Sequence, residues 1–114
     1  MVGAQSFPRC ARLTERVEYG RVFASRNKSG GRVFVLTWMR NDIGRARLGL
    51  AISRRCARRA VDRQRIKRIV RESFRLKQQS LPAVDVVVTC RSGAGSLGKR
   101  QLREALERHW QAIR

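Results

Sequence analysis

The stretch Arg47–Gln79, RLGLAISRRCARRAVDRQRIKRIVRESFRLKQQ, changes its period partway along, and that change decides the fold. Leu48, Leu50 and Ile52 alternate with Gly49, Ala51 and Ser53, the two-residue repeat of a strand. One face of this strand is bulky and the other is small, which leaves room for something to lie close to the small side. From about Arg59 to Gln79 the repeat becomes helical. Ile66, Ile69, Val70, Ser73, Phe74 and Leu76 gather on one side, and Gln64, Lys67, Arg68, Arg71 and Arg75 take the other. Between Arg54 and Arg75, ten of twenty-two residues are Lys or Arg, opposed only by Asp62 and Glu72. A merely solvated helix avoids such a single-sign stripe, because like charges one turn apart repel.

Working outward, Thr14 suits a helix N-cap, with Glu15 and Glu18 in the first turn where the helix dipole favours acids. That helix carries Val17, Tyr19, Val22 and Phe23 and ends before Asn27-Lys28-Ser29-Gly30-Gly31, in which Gly30-Gly31 marks a turn. Residues 32–39, RVFVLTWM, are β-branched and aromatic and predict a strand, and Asn41–Gly44 predicts the next turn. Pro82 stops further helix. The near-continuous apolar run VDVVVTC, Val84–Cys90, predicts a strand buried on both faces. A last helix over Lys99–Ile113 carries Leu102, Ala105, Leu106, His109, Trp110 and Ile113 as one stripe. The order α-β-β-α-β-α gives an α/β (α+β) class with one small sheet.

At 114 residues the chain suits a single domain over 1–114, and 42% hydrophobic residues argue against general disorder. No run of about eighteen apolar residues occurs, and the N-terminus lacks the apolar region of a signal peptide, so a cytoplasmic protein with no membrane association is expected. Cys10, Cys56 and Cys90 are odd in number and far apart, with a single His to join them, so zinc is not expected and free thiols are. The net charge of +19, from 27 basic and 8 acidic residues, calls for an anionic partner. Nucleic acid comes first and an anionic membrane surface second. Arg greatly outnumbers Lys, and the planar guanidinium grips phosphate bidentately and stacks on bases, which favours nucleic acid.

Gly93-Ala94-Gly95-Ser96-Leu97-Gly98 matches the G-x-G-x-x-G dinucleotide pattern between a strand and a helix. That fingerprint needs a further parallel strand after the helix, and none follows, so the segment reads as a flexible turn before a helix. His109 falls on an apolar stripe and reads as packing. The carboxylates form no pair, and Asp42, Asp62 and Asp85 fall in different elements, so no catalytic or metal-binding set is expected. Tyr19 and Phe23, one helical turn apart, are either core or rings offered to unpaired bases.

Arg63-Gln64-Arg65-Ile66-Lys67-Arg68 followed by IVRESFR resembles the R-N-R-x-K-R…R-E-x-F signature of the bacterial ribonuclease P protein subunit. FPR and RLT near the start, Tyr19-x-x-Val22-Phe23, RLGL, Arg54-Arg55, LP before VDVVV and LREALERHW fall in that family's order, so the likeness covers almost the whole chain. The resemblance implies a two-layer sandwich with a small mixed sheet and a left-handed crossover leading to the basic helix. It implies a monomeric protein in a 1:1 particle with a catalytic RNA that removes the 5′ leader of precursor tRNA. The protein would supply no catalytic residue and hold no cofactor of its own, and magnesium would come with the RNA. Carried over by position, Arg63, Gln64, Arg65, Lys67, Arg68 and Arg71 would face the catalytic RNA. Arg54, Arg55, Arg58 and Arg59 would flank RNA or leader phosphates, and Tyr19, Phe23, Thr37 and Ser53 would form a leader cleft. Gln64 stands where the family usually has Asn, and Thr37 where many members place an aromatic residue. A ribosomal or other structural RNA-binding protein is the alternative. A DNA-binding regulator is disfavoured because a strand, not a helix-turn-helix, leads into the basic helix.

Overall fold

Val84–Cys90 is the strand on which the sheet is built. Val84, Val86, Val87 and Val88 are all fully buried, so helices must cover both faces of the strand. The computed structural model describes the backbone of residues 16–113 and the side chains of residues 19–113; Thr14, Glu15, Cys10 and the FPR and RLT segments lie outside the described residues. In chain order the elements are α1 (Arg16–Phe23), β1 (Asn27–Gly30), β2 (Phe34–Arg40), β3 (Arg47–Ala51), α2 (Ala60–Lys77), β4 (Val84–Cys90) and α3 (Lys99–Ala112). Short 3₁₀ turns span Gln78–Ser80 and Ala94–Ser96. The sheet order is β1-β2-β4-β3, with β4 antiparallel to β2 and parallel to β3.

The fold is the expected mixed α/β one, with two additions. Strand β1 occupies residues to which the sequence reading assigns no strand: Asn27–Gly30 is polar and has little strand propensity, and it becomes a strand by pairing antiparallel with Val35–Trp38 of β2. The helices also divide between the faces. Ile66, Ile69, Val70 and Phe74 of α2 and Leu102, Leu106 and Trp110 of α3 pack with Phe34, Leu36, Leu48, Val86 and Val88. On the other face Val22 of α1 packs against Val87, with Tyr19, Met39 and Ala51 around them. Each fully buried Val, Leu or Phe contributes on the order of 1.5–3 kcal/mol, and the alternation along β4 directs these residues to opposite cores.

Polar groups that enter the core are matched. Ser73, on the apolar side of α2, accepts a 2.7 Å hydrogen bond from Trp110 Nε1, and the Trp110 ring meets Phe74 edge-on at 5.8 Å between centroids. Arg47 and Asp85 sit opposite each other in the β3–β4 register and form a bidentate pair at 2.8 Å on both arms. The cysteines depart from the expectation of free thiols. Cys10 is undescribed, but Cys56 and Cys90 form a disulfide pair, with Cα atoms 5.4 Å apart. The segment after β3 folds back onto the end of β4, a contact across 34 residues of sequence that spacing alone does not reveal.

His109 is buried, as its place on the apolar stripe predicts, and its Nδ1 lies 2.7 Å from Ser29 Oγ, tying α3 to β1. Burial, and then the charge of neighbouring Arg108, lower its pKa below 6.5. The unfolded chain therefore binds the proton more readily than the folded one. The stability this residue supports is fully present above pH 6.5 and falls as the pH drops toward the folded-state value. His109 is the only histidine. Urea unfolding followed from pH 8 to 5 should show stability declining below about pH 6.5, and His109→Gln should flatten that decline. Equal slopes for the two proteins would exclude His109 as its source.

Candidate nucleic-acid interface

Helix α2 buries Ile66, Ile69, Val70, Ser73 and Phe74 against the sheet, which turns the opposite side outward. Gln64, Arg68 and Arg75 are exposed there, with Lys67 and Arg71 partly so. Val61 is more than half exposed, and so is Leu76, which the sequence pattern groups with the apolar side but which lies in the last turn of α2, at the edge of the buried stripe. Arg63 and Arg65 behave differently. Arg63 Nη1 donates to the carbonyls of Ala57 at 3.0 Å and Arg58 at 2.8 Å. Arg65 Nη2 donates to the Gly95 carbonyl at 2.8 Å, and its Nε lies 3.9 Å from Asp62. These two arginines brace the loops at the start of α2, while Gln64, Lys67 and Arg68 present the outward side.

Those loops carry the other basic residues. Arg54, Arg55, Arg58 and Arg59 are exposed, while Cys56 and Ala57 between them are buried, so the loop is anchored at its middle and its arginines project. Arg59 pairs with Asp62 at 3.2 Å in the first turn of α2. The glycine pattern after β4 now has a physical explanation. Gly93 adopts φ +88°, the left-handed region that favours glycine. Gly95 N–H donates to the Cys56 carbonyl at 3.3 Å, and a Cβ on Gly95 would come within 2.7 Å of Ala57 Cβ. Gly98 precedes α3, and its N–H donates to Gln101 Oε1 at 3.0 Å. The segment is therefore a close loop-on-loop packing, better defined than a flexible turn. Between the two loops lies a groove of about 580 Å³ lined by Arg54, Arg55, Arg58, Arg59, Ser92 and Gly93 among others.

The second candidate surface lies on the α1 face. Tyr19 is half-buried, and its hydroxyl accepts a 3.1 Å hydrogen bond from Leu50 N–H. Phe23, one turn on, is 44% exposed, so the core residue of this helix is Val22. Thr37 lies opposite Val87 in the β2–β4 register and is buried, so its side chain is covered on the face that α1 shares. Ser53 is exposed just beyond β3, between this face and the arginine loop. Arg21 and Arg40 line a groove of about 260 Å³ beside Val22 and Met39. Sequence reasoning passed over both; only their charge marked them, and charge is everywhere in this chain. Among the described residues, no group of three or more His, Cys, Asp or Glu could hold a metal ion, and no helix is long and apolar enough to cross a membrane.

Comparison with known proteins supplies a family. Residues 7–114 match the model of the Ribonuclease P family. The ribonuclease P protein component of Thioalkalivibrio sulfidiphilus is 52% identical over 106 residues, covering 93% of this chain and 88% of the relative. That of Escherichia coli O157:H7 is 41% identical over 105 residues, covering 92% and 88%. Among solved structures, the Staphylococcus aureus RNase P protein superposes with a TM-score of 0.81 at 28% identity, over 89% of this chain and 92% of that one. The Thermotoga maritima RNase P protein, in complex with 1-(4-fluorophenyl)-2-thiourea, gives 0.81 at 27% identity, over 90% and 100%.

The loop packing makes a paired prediction about glycines. Gly95→Ala should cost about 1–3 kcal/mol, because the new methyl meets Ala57 and a loop must shift. Gly20→Ala, where nothing lies within 4 Å, should be neutral or stabilise α1 by up to about 1 kcal/mol. Denaturant midpoints compare the two; equal effects would contradict the close approach.

Proposed function

The chain belongs to the ribonuclease P protein family, and on that premise we propose that it is the RNA-binding subunit of a cytoplasmic ribonucleoprotein that removes the 5′ leader from precursor tRNA. One monomer assembles with one catalytic RNA, and cleavage takes place in that RNA with magnesium. The observation that carries this reading is the outward side of α2. Gln64, Lys67, Arg68, Arg71 and Arg75 form a nearly single-sign stripe, backed by a core that fixes their direction. A polyanion relieves the repulsion such a stripe costs, and RNA phosphates are the polyanion that the family membership indicates.

Arg54, Arg55, Arg58 and Arg59 extend the basic surface from the start of α2 toward Ser53 and the end of β3. Arg63 and Arg65 serve the same surface by holding its loops in place, with donors left over for phosphate. The leader lies along the α1 face, where Phe23 is open to solvent and Tyr19 is fixed by Leu50. Gly49 and Ala51 keep the sheet low beneath it. Thr37 is buried and serves this cleft as floor. Gln64 is exposed, so its longer side chain, relative to the family's usual Asn, reaches outward without disturbing the core.

Three measurements test the reading. Purified protein should not cut precursor tRNA, whereas protein with a bacterial ribonuclease P RNA and magnesium should cut it at the leader junction. Site-specific cleavage by the protein alone would overturn the assignment of chemistry to RNA. Affinity for that RNA should fall on the order of a thousandfold or more between 50 and 200 mM salt if roughly 6–10 phosphates are contacted; a flat titration would remove the electrostatic basis. Phe23→Ala should weaken holoenzyme binding of leader-bearing precursor by about 5- to 150-fold, the worth of one stacked base, with mature tRNA much less affected. Because Phe23 is exposed, the melting temperature should barely move. A large loss of stability with an unchanged preference for precursor would take Phe23 out of the cleft.

A further inference from the structure

The described arginines sort into two groups. Some are used within the fold: Arg47 on Asp85, Arg63 and Arg65 on loop carbonyls, Arg91 on the Gly31 carbonyl at 2.6 Å, and Arg59 and Arg100 in ion pairs. Arg54, Arg55, Arg32 and Arg108 belong to a larger set, with Arg68 and Arg75 of α2 among its members, whose side chains are exposed and make no ion pair or hydrogen bond among the described residues. These four are set apart by lining one path of connected grooves. The groove of about 580 Å³ at Arg54 and Arg55 meets a second, of about 530 Å³, at Ser92 and Gly93. The second meets a third, of about 500 Å³, along Arg32 and Arg108. The carboxylates bordering the path are already engaged: Asp62 with Arg59, and Glu104 with Arg100.

We propose that this path is a second RNA-binding surface. It takes a phosphodiester strand of the RNA partner from the arginine loop, past Ser92 and Gly93, to Arg32 on the β1–β2 turn and Arg108 on α3. The proposal rests on the RNA-binding reading above and extends it away from both the α1 cleft and the outward side of α2. Three features fit a polyanion. The free charge along the path is of one sign, as phosphate requires. The middle of the path is built from Ser92 and Gly93, so a backbone can approach closely. Its far end is held in place, because Arg91 clasps the residues on both sides of Arg32, Gly31 through its guanidinium and Val33 through its backbone N–H, while His109 clasps Ser29 just before the turn. The guanidinium of Arg32 is thus presented from a fixed turn, which lowers the ordering cost of binding. An anionic membrane or an acidic protein would meet a convex patch more readily than a chain of connected grooves.

The test is Arg32→Glu/Arg108→Glu, with Arg32→Gln/Arg108→Gln as a neutral second variant should charge reversal disturb folding. Neither residue is part of the core, so circular dichroism and melting temperature should stay near wild type. Affinity for a bacterial ribonuclease P RNA should fall by about tenfold or more, and the salt dependence of log K should lose a slope of about one to two, the signature of one or two lost phosphate contacts. The preference for leader-bearing over mature tRNA should be unchanged. Gln64→Glu/Arg68→Glu on α2 is the companion variant. Wild-type affinity and salt slope for the Arg32/Arg108 variants, with binding lost in the α2 variant, would overturn this surface and leave the proposed function standing. Wild-type behaviour in both would overturn the two together.

Discussion

The parallel pairing of β3 with β4 constrains everything that the molecule presents to a partner. Two parallel neighbours need a connection that returns the full length of a strand, and here α2 is that connection. Eighteen helical residues span about 27 Å, and the seven residues of β4 span about 23 Å. The helix is long enough to cross the sheet and to hold a complete outward side. The same pairing sends the segments after β3 and β4 out at one end. There, Gly95 against Ala57, Arg65 on the Gly95 carbonyl and Cys56 with Cys90 lock them together. The arginine loop is therefore braced from below and from the side.

A net charge of +19 on 114 residues is a large self-repulsion for a small fold to carry. The structure distributes that cost unevenly. Arg47, with Asp85, is nearly buried and forms a bidentate pair that Asn41 supports through a 2.8 Å bond to the same carboxylate. Arg63 and Arg91, and Arg65 beside its longer contact with Asp62, saturate backbone carbonyls that loops would otherwise leave to water. What remains is exposed and oriented. The fold thus uses part of its basic content as mortar, and the exposed remainder is left available to an anionic ligand.

Much of this was legible in the sequence, and the limits are instructive. The boundaries of β4 and α3 and the buried stripe of α2 follow from periodicity because those segments are long and repeat cleanly. Strand β1 was not legible: Asn-Lys-Ser-Gly carries no strand signal, and only the register with β2 makes it one. The pairing of Cys56 with Cys90 was hidden for the same reason, being a consequence of two loops meeting. In the candidate site, residue type announced the charge but could not say which arginines face outward. Arg63 and Arg65 lie within the signature that the family resemblance singled out, yet their hydrogen bonds point back into the protein. Tyr19 and Phe23, identical in spacing logic, separate only once Leu50 is seen to hold the first while the second stands 44% exposed.

The hydrogen bond from Leu50 to Tyr19 has a consequence for solubility. Strand β3 is the outer margin of the sheet, and an open margin invites a strand from another molecule to add by backbone pairing. The Leu50 N–H is one of the donors such an intruder would need, and the Tyr19 hydroxyl already occupies it. At the opposite margin β1 is only four residues long, carries Lys28, and is fastened to α3 through Ser29 and His109. Both open borders of this sheet are thereby made poor templates for the self-association that leads to fibrils.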